Sequence, residues 1–297
     1  MKNTKTPIDL SIIIVSYNTK ELLKNCLDSI FQSLGGTPFS YEIIVVDNKS
    51  SDGSVELISI YKQVTLLAND TNVGFGKANN QGAQKARGKT LLFLNSDIVV
   101  LDQAITKLFV YFKSKTLETI VGGKLFNPDK SPQSSCGPKY SLLNIFIALF
   151  LKGDYLQITR YSPDTVTSVD WVMGACIMIS KSTFNKLAGF DEGIFMYMEE
   201  IDLQFRAQKL GVKIYFYPEA GFIHIGHASS DGRASPIINV FRGFMYFYKK
   251  HGNYLENIIL RTLLVLKSVS AILLFSLLGK KYDRDIYIKA LGLIMPN

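Results

Sequence analysis

Three cysteines in 297 residues (Cys26, Cys136 and Cys176) are odd in number and widely spaced, so they form neither a disulfide framework nor a zinc-ligand pattern. They suit a reducing compartment. Charge is also scarce. Only 20% of residues are Asp, Glu, Lys or Arg, against 47% hydrophobic, which excludes intrinsic disorder. With 22 Gly, 9 Pro and no fixed short period, the chain is neither a collagen nor a coiled coil. No internal repeat is found. The polar start, MKNTKTPIDL, lacks a charged region followed by an apolar core and cleavage site. No signal peptide is therefore expected, and a cytoplasmic body is. The length allows one large domain or two small ones.

Acidic residues are nearly absent from the last fifth of the chain. Residues 239–297 carry nine basic and three acidic side chains, which is +6 of the total net charge of +8. The body, residues 1–238, is close to neutral. It carries no nucleic-acid motif, so no nucleic-acid partner is expected. Residues 258–278 are mostly apolar and long enough to span a bilayer, but they contain Arg261 and Lys267. Thr262, Ser270 and Ser276 add polar positions that do not share one helical face. Basic residues flank the segment on both sides (Lys249, Lys250, Lys280, Lys281, Arg284), as suits anionic headgroups. The favoured expectation is an interfacial or shallowly inserted helix on the inner face of the cell membrane. A homo-oligomer-forming helix and a true span are the alternatives. The chain is thus divided at 238, into a nearly neutral body and a basic, apolar helical extension.

Residues 10–126 alternate between strand and helix patterns. Strands are expected at 10–17 (LSIIIVSY), 42–47, 64–67 and 90–95, with helices at 20–34, after the turn at Ser51-Asp52-Gly53, and at 76–86. This alternation implies a mainly parallel sheet flanked by helices. Residues 127–170 read as irregular, apart from an apolar run at 142–151 that suits a core or lid helix. Order resumes with a strand at 169–180, helices at 181–187 and 199–210, and strands at 213–217 and 220–224. Residues 226–235 read as a mobile loop, and 236–250 as a basic aromatic helix.

In open parallel sheets, ligands bind beyond the carboxyl ends of the strands. Four such ends here are polar: Ser16-Tyr17-Asn18, Asp47-Asn48, Asn69 to Gly74, and Asn95-Ser96-Asp97. Such a line of donors and acceptors suits a nucleotide. Asp47 can accept from a base N–H, or instead cap the following helix. Glycines 74 and 76 precede a helix and offer backbone N–H groups to phosphate. Asp97 can hold a hard divalent cation together with substrate phosphates. His224, with His227 nearby, can be a metal ligand, a phosphate contact or a structural histidine. Glu199, Glu200 and Asp202 open a helix after an apolar aromatic stretch. Acids favour helix N-termini anyway, but such surroundings also raise carboxyl pKa values and suit a general base.

The strand at 12–17 with Asn18, Val46-Asp47-Asn48, Asn72-x-Gly74-Phe75-Gly76 with Asn80-x-Gly82, and Leu94-Asn95-Ser96-Asp97 together resemble family 2 glycosyltransferases of the GT-A fold. So do Trp171-Val172-Met173-Gly174-Ala175, the Phe190-Asp191-Glu192 to Glu199-Glu200-Ile201-Asp202 segment, and His224. The resemblance covers residues 8–250 or so, and is strongest to rhamnosyltransferase-like members that build cell-surface polysaccharide. It implies inverting transfer from a nucleotide-diphosphate sugar to a lipid-linked saccharide, with Mg²⁺ or Mn²⁺. The implied donor-binding set is Ser16, Tyr17, Asn18, Asp47, Asn48, Asn72, Gly74, Asn79, Ser96, Trp171 and Gly174. Asp97 and His224 are the implied metal residues, and Glu200 or Glu199 the base. Three positions depart from the family pattern. Asn95 replaces the first acid of Asp-x-Asp, Asn79 stands where many relatives carry Arg, and the acidic pair is Glu-Glu rather than Glu-Asp. These departures motivate one alternative, a catalytically inactive nucleotide-sugar-binding or scaffold protein.

Overall fold

The structure is a computed structural model, and it describes residues 8–115, 118–226 and 236–294. The expected mobile loop, with His227, lies outside the described residues but for Gly226. The first half runs β1 (Leu10–Ser16), α1 (Lys20–Ser33), β2 (Tyr41–Asp47), α2 (Ser54–Ile60), β3 (Val64–Ala68), α3 (Phe75–Lys85), β4 (Thr90–Asn95), β5 (Ile98–Val100), α4 (Ala104–Lys113) and β6 (Thr119–Phe126). The second half runs β7 (Pro132–Gln133), β8 (Cys136–Gly137), α5 (Leu142–Phe150), β9 (Thr167–Ser168), β10 (Trp171–Val172), β11 (Cys176–Ser180), α6 (Lys181–Lys186), α7 (Glu199–Lys209), β12 (Lys213–His224), α8 (Pro236–His251), α9 (Tyr254–Leu277) and α10 (Lys281–Ile294).

The main sheet has the order β3-β2-β1-β4-β11-β6-β12-β5. β1 pairs in parallel with β2 on one side and with β4 on the other. The strand order therefore reverses at β1, and a crevice opens beyond its carboxyl end. Pairing aligns Ser16 with Asp47 and Val15 with Asn95, so three of the expected polar strand ends lie side by side. Successive strand side chains point to opposite faces. Ile12 and Ile14 pack under α1, while Ile13 packs with Ala78 and Ala83 of α3. Burial on both faces is why the run is continuously apolar rather than alternating. Gly82 allows the close approach of α3, because a Cβ there would come within 2.5 Å of Ile13 Cγ2.

Two readings change. The single strand expected at 169–180 is broken at residues 173–175. β10 pairs with β8 in a separate two-stranded sheet, while β11 joins the main one. Conversely, the strands expected at 213–217 and 220–224 are one 12-residue strand, with a register shift between Tyr217 and Gly221 that accommodates Pro218.

The residues after 238 are not a free tail. Phe241, Phe244 and Phe247 of α8 pack with Met198 and Ile201 around α7, in a cluster that also holds Ile145, Trp171, Leu260, Leu264 and Ile294. Asp202 of α7 is fully buried and is bound by three side chains, the cations of Arg206 and Lys250 and the imidazole of His251. Its Oδ2 accepts from Arg206 Nε at 2.7 Å, and its Oδ1 accepts from Lys250 Nζ at 2.8 Å and pairs with His251 Nε2 at 2.7 Å. Arg206 also donates to the carbonyls of Leu187 and Gly189, and Lys250 to Asp191. Burial alone would raise the Asp202 pKa. Hydrogen bonds from Lys250 and His251, with the Arg206 charge, hold it below its ordinary 3.8.

Replacing Asp202 with Ala leaves these partners uncompensated. Urea denaturation should show a loss of about 3 kcal/mol. The wild-type advantage should persist above pH 3.8 and fade as pH falls through the lower folded-state value.

Candidate active site

The loops after β1 and β2 are stitched together. Asn18 adopts a left-handed conformation (φ 52°), and its Oδ1 accepts from Ser51 N at 2.8 Å while its own N–H donates to Ser50 Oγ at 2.9 Å. Asp47 is fully buried, and its Oδ2 accepts from Ser50 N at 2.8 Å. Its Oδ1 is buried and has no partner among the described residues. Asp52, not Asp47, binds the start of α2, accepting from Ser54 N at 3.0 Å. Asp47 therefore keeps one carboxylate oxygen free for a donor such as a base N–H. Tyr17 is half-buried beside it.

Other expected donor-site residues hold the frame. Asn48 donates to the Gly74 carbonyl at 3.3 Å and accepts from Asn69 at 3.0 Å. Asn72 Oδ1 accepts from Gly74 N at 3.0 Å. Gly74 has φ 87°, and a Cβ there would come within 2.5 Å of the Phe195 carbonyl, so only glycine fits. Ser16, Thr19 and Ser96 form a buried hydroxyl chain with spacings of 3.1 and 3.0 Å, which joins the ends of β1 and β4. The Asn79 amide donates to Phe75 O of its own helix at 3.1 Å, and the residue is only 1% exposed. Trp171 is buried, with its indole N–H on the Pro138 carbonyl at 2.8 Å.

Asp97 and His224 do meet. His224 Nε2 lies 3.5 Å from Asp97 Oδ1 and 3.4 Å from Asn95 Nδ2. Asp97 Oδ2 accepts from Gly226 N at 2.9 Å. Gln133 Oε1 holds the other ring nitrogen of His224 at 2.8 Å, which fixes the ring. Among the described residues there is no cluster of three or more His, Cys, Asp or Glu side chains. The Asn95 Oδ1, however, is buried without a partner. A neutral oxygen, a carboxylate and an imidazole fit a divalent cation that keeps several waters.

Two consecutive non-glycine residues, Tyr197 (φ 66°) and Met198 (φ 79°), adopt left-handed conformations just before α7. Such backbone costs of order 1–3 kcal/mol per residue and clusters at functional sites. Here the bend turns Glu199 into the interior, leaving it 4% exposed. Glu200 follows, half-buried against Gly174, where a Cβ would come within 3.4 Å of Glu200 Cβ. Oε2 of each glutamate is buried with no partner among the described residues. Burial pushes both carboxyl pKa values up, and repulsion from Glu200 adds to this at Glu199. At Glu200, its own N–H, the Arg160 charge and the N–H groups of Ile201 and Gly174 oppose the rise.

Several contributors were not singled out in the sequence. Thr19 links two strand ends, Gln133 fixes His224, and Gln204 binds both the N–H and the carbonyl of Val172 at 2.8 Å. That last pair holds the Gly174 turn against Glu200. Arg160 comes from the segment read as irregular. Spacing carries no signal for these residues, because each acts across a long sequence separation.

The glycosyl transferase family 2 model matches residues 11–187. Rhamnosyltransferase WbbL of Escherichia coli (strain K12) is 30% identical over 224 residues, which is 73% of this chain and 83% of that protein. The N-acetylglucosaminyl-diphospho-decaprenol L-rhamnosyltransferase of Mycobacterium tuberculosis is 26% identical over 243 residues, 75% of this chain and 78% of that one. Among solved structures, S. aureus TarS 1-349 in complex with UDP-GlcNAc matches with TM-score 0.59 at 18% identity, over 97% of this chain and 80% of that chain. GalNAc-T7 with UDP, GalNAc and Mn²⁺ matches with TM-score 0.59 at 19% identity, over 82% of this chain and 50% of that one. These structural likenesses bear out the expected GT-A fold.

A raised carboxyl pKa means that the ionised Glu199 destabilises the folded state above its folded-state value, and that this penalty fades as pH falls towards 4.5. Glu199→Gln should therefore melt at a higher temperature than wild type at about pH 8, with the gap closing as the solution is acidified. Thermal scans across pH check this.

Proposed function

The chain belongs to glycosyl transferase family 2, and we propose that it moves a rhamnosyl residue, with inversion, from a nucleotide-diphosphate sugar to a lipid-linked saccharide in cell-surface polysaccharide synthesis. The names of the two relatives above support the sugar, and the mycobacterial name supports the kind of acceptor. One observation carries the chemistry. Two buried carboxylates with unpartnered oxygens, Glu199 and Glu200, open α7, and the free oxygens of Asp47 and Asn95 stand at the strand ends.

In this reading the donor base lies against Asp47 and Tyr17, with the diphosphate towards Asn95, Asp97 and His224. Glu200 takes the proton of the acceptor hydroxyl. The hydroxyl oxygen then bonds to the anomeric carbon from the face opposite the diphosphate. The bond from that carbon to the diphosphate breaks, and its electron pair leaves with the diphosphate. A burial-raised pKa makes Glu200 a better proton acceptor than an exposed glutamate. Asp97, His224 and the Asn95 oxygen would hold a divalent cation, which when bound supplies positive charge to the diphosphate.

The acceptor's lipid calls for a membrane face. α9 is long and apolar enough to cross a bilayer, yet only 22% of its most apolar window is buried. The two charges that argue against membrane contact are both engaged by carbonyls of neighbouring helices, although Arg261 itself stays exposed. Arg261 donates to the Ile294 carbonyl at 2.6 Å, and Lys267 to the Leu149 carbonyl at 2.7 Å, at the ends of α10 and α5. The outward face keeps Leu266, Val269, Leu273 and Leu277 exposed. An apolar surface of this kind marks an interaction site, and its basic flanks favour anionic lipid over a second copy of the chain. The protein is placed by this reading on the cytoplasmic face of the membrane, with residues 239–297 as its docking extension.

Glu200→Gln should lower transfer by about 10²- to 10⁴-fold. Donor affinity, measured by titration calorimetry, should be unchanged. Loss of donor binding in this variant contradicts the assignment. Wild-type donor binding without turnover on any lipid-linked acceptor supports an inactive scaffold instead. The double variant Leu273→Asp with Leu277→Asp should lose flotation with vesicles containing anionic lipid while staying folded. Retained flotation excludes α9 as the membrane face.

A further inference from the structure

Arg160 is half-buried, and its guanidinium lies over the Trp171 ring at 5.4 Å from the centroid. Among the described residues its side chain has no hydrogen bond or ion pair, and its Nε is buried without a partner. A partly buried guanidinium that acts on Glu200 through space without a hydrogen bond still has donors to offer an anion. Ser135 lies alongside. Its N–H donates to the carbonyl of Tyr161, the residue after Arg160, at 3.0 Å. Ser135 is 2% exposed, and its Oγ also has no partner. Its carbonyl accepts from Met173 N at 2.8 Å, one residue before the Gly174 that touches Glu200. The Arg160 charge thus acts on the candidate base, and the backbone bonds of Ser135 tie the Arg160-Tyr161 segment to the turn that touches Glu200.

We propose that Arg160 and Ser135 form a phosphate-binding subsite for the acceptor, holding the phosphate that joins its sugar to its lipid so that the sugar hydroxyl faces Glu200. This rests on the glycosyltransferase reading above. A phosphate could also come from the donor, but the surroundings of Arg160 favour the acceptor. Arg160 ends the segment that returns from α5, and the helix and that segment together expose apolar side chains: Leu143 and Phe146 of α5 and Leu151, Leu156 and Ile158 after it are all 38–66% exposed. The Lys267 hydrogen bond to Leu149 ties α5 to the proposed membrane face of α9. A lipid-linked diphosphate carries its charge next to an apolar chain, whereas a nucleotide sugar has no apolar chain to place there. A planar guanidinium also suits bidentate phosphate binding better than an ammonium.

The test compares wild type, Arg160→Gln, Arg160→Lys and Ser135→Ala by steady-state kinetics. Each is assayed with one saccharide carried on an alkyl diphosphate or on an uncharged alkyl chain. Arg160→Gln should raise KM for the diphosphate acceptor by about 10- to 100-fold, the loss of one or two charge-assisted hydrogen bonds. Donor KM should be unchanged, and because the Arg160 charge also holds down the Glu200 pKa, any loss on the uncharged acceptor should fall on kcat and leave KM for that acceptor unchanged. Arg160→Lys should recover part of the loss, and Ser135→Ala should lose less than Arg160→Gln. The proposal is overturned if KM for the diphosphate acceptor is unchanged, or if donor KM rises instead, which would assign the subsite to the donor. An equal rise in KM for both acceptors also overturns it. If wild type transfers to neither acceptor, the glycosyltransferase reading with a lipid-linked acceptor fails first.

Discussion

The buried Asp202 carboxylate fixes where α7 lies, and with it the geometry of the site. Within one turn of that helix the electrostatics change completely. Asp202 has Arg206, Lys250 and His251 around it, while Glu199 and Glu200 have no counter-ion in hydrogen-bonding contact. The paired acid anchors, and the unpaired acids stay available for chemistry. Arg206 reaches on to the carbonyls of Leu187 and Gly189, and Lys250 to Asp191, so the same knot positions the loop that leads into α7. Held in this way, the chain can tolerate the left-handed residues Tyr197 and Met198, which a less constrained backbone would relax.

The site stands out by what is left unsatisfied. Buried polar atoms in folded proteins nearly always have partners. Among the described residues, Asp47 Oδ1, Asn95 Oδ1, Glu199 Oε2, Glu200 Oε2, Arg160 Nε and Ser135 Oγ lack them, against four hydroxyls elsewhere, those of Ser33, Thr106, Tyr111 and Ser162. Nearby polar residues such as Asn48, Asn72, Thr19 and Gln204 are hydrogen-bonded to backbone or side chains of the frame around the unsatisfied ones. The division between frame and free atoms is also a division of labour. A rigid frame lowers the reorganisation needed when a charged ligand arrives.

The C-terminal helices show how tertiary contacts revise a helical wheel. Read along the sequence, Arg261 and Lys267 interrupt an apolar segment and argue against membrane contact. In the fold each bonds a carbonyl at the end of a neighbouring helix, and the outward surface is mostly apolar. The charges are needed because carbonyls at helix ends lack intrahelical partners.

The alternation of β1 to β4 with their helices was legible because strands buried on both faces must be apolar throughout, and the polar residues that follow mark their ends. The motifs at Asp47, Asp97 and Glu199-Glu200 were legible for the same reason, since acids directly after or before apolar runs are conspicuous. The break at residues 173–175, the continuous β12 and the helix α10 were not, because pairing partners and packing surfaces decide them. Nor could spacing show that Asp47 is free and Asp52 the cap, that Asn79 bonds its own helix, or that Arg160 stands beside Trp171 and the α7 carboxylates. The sequence by itself determined which residues could carry charge or metal and roughly where strands end. Only the tertiary structure decided which of those groups are satisfied and which remain free, because a hydrogen-bond partner is chosen by distance in space and not by separation along the chain.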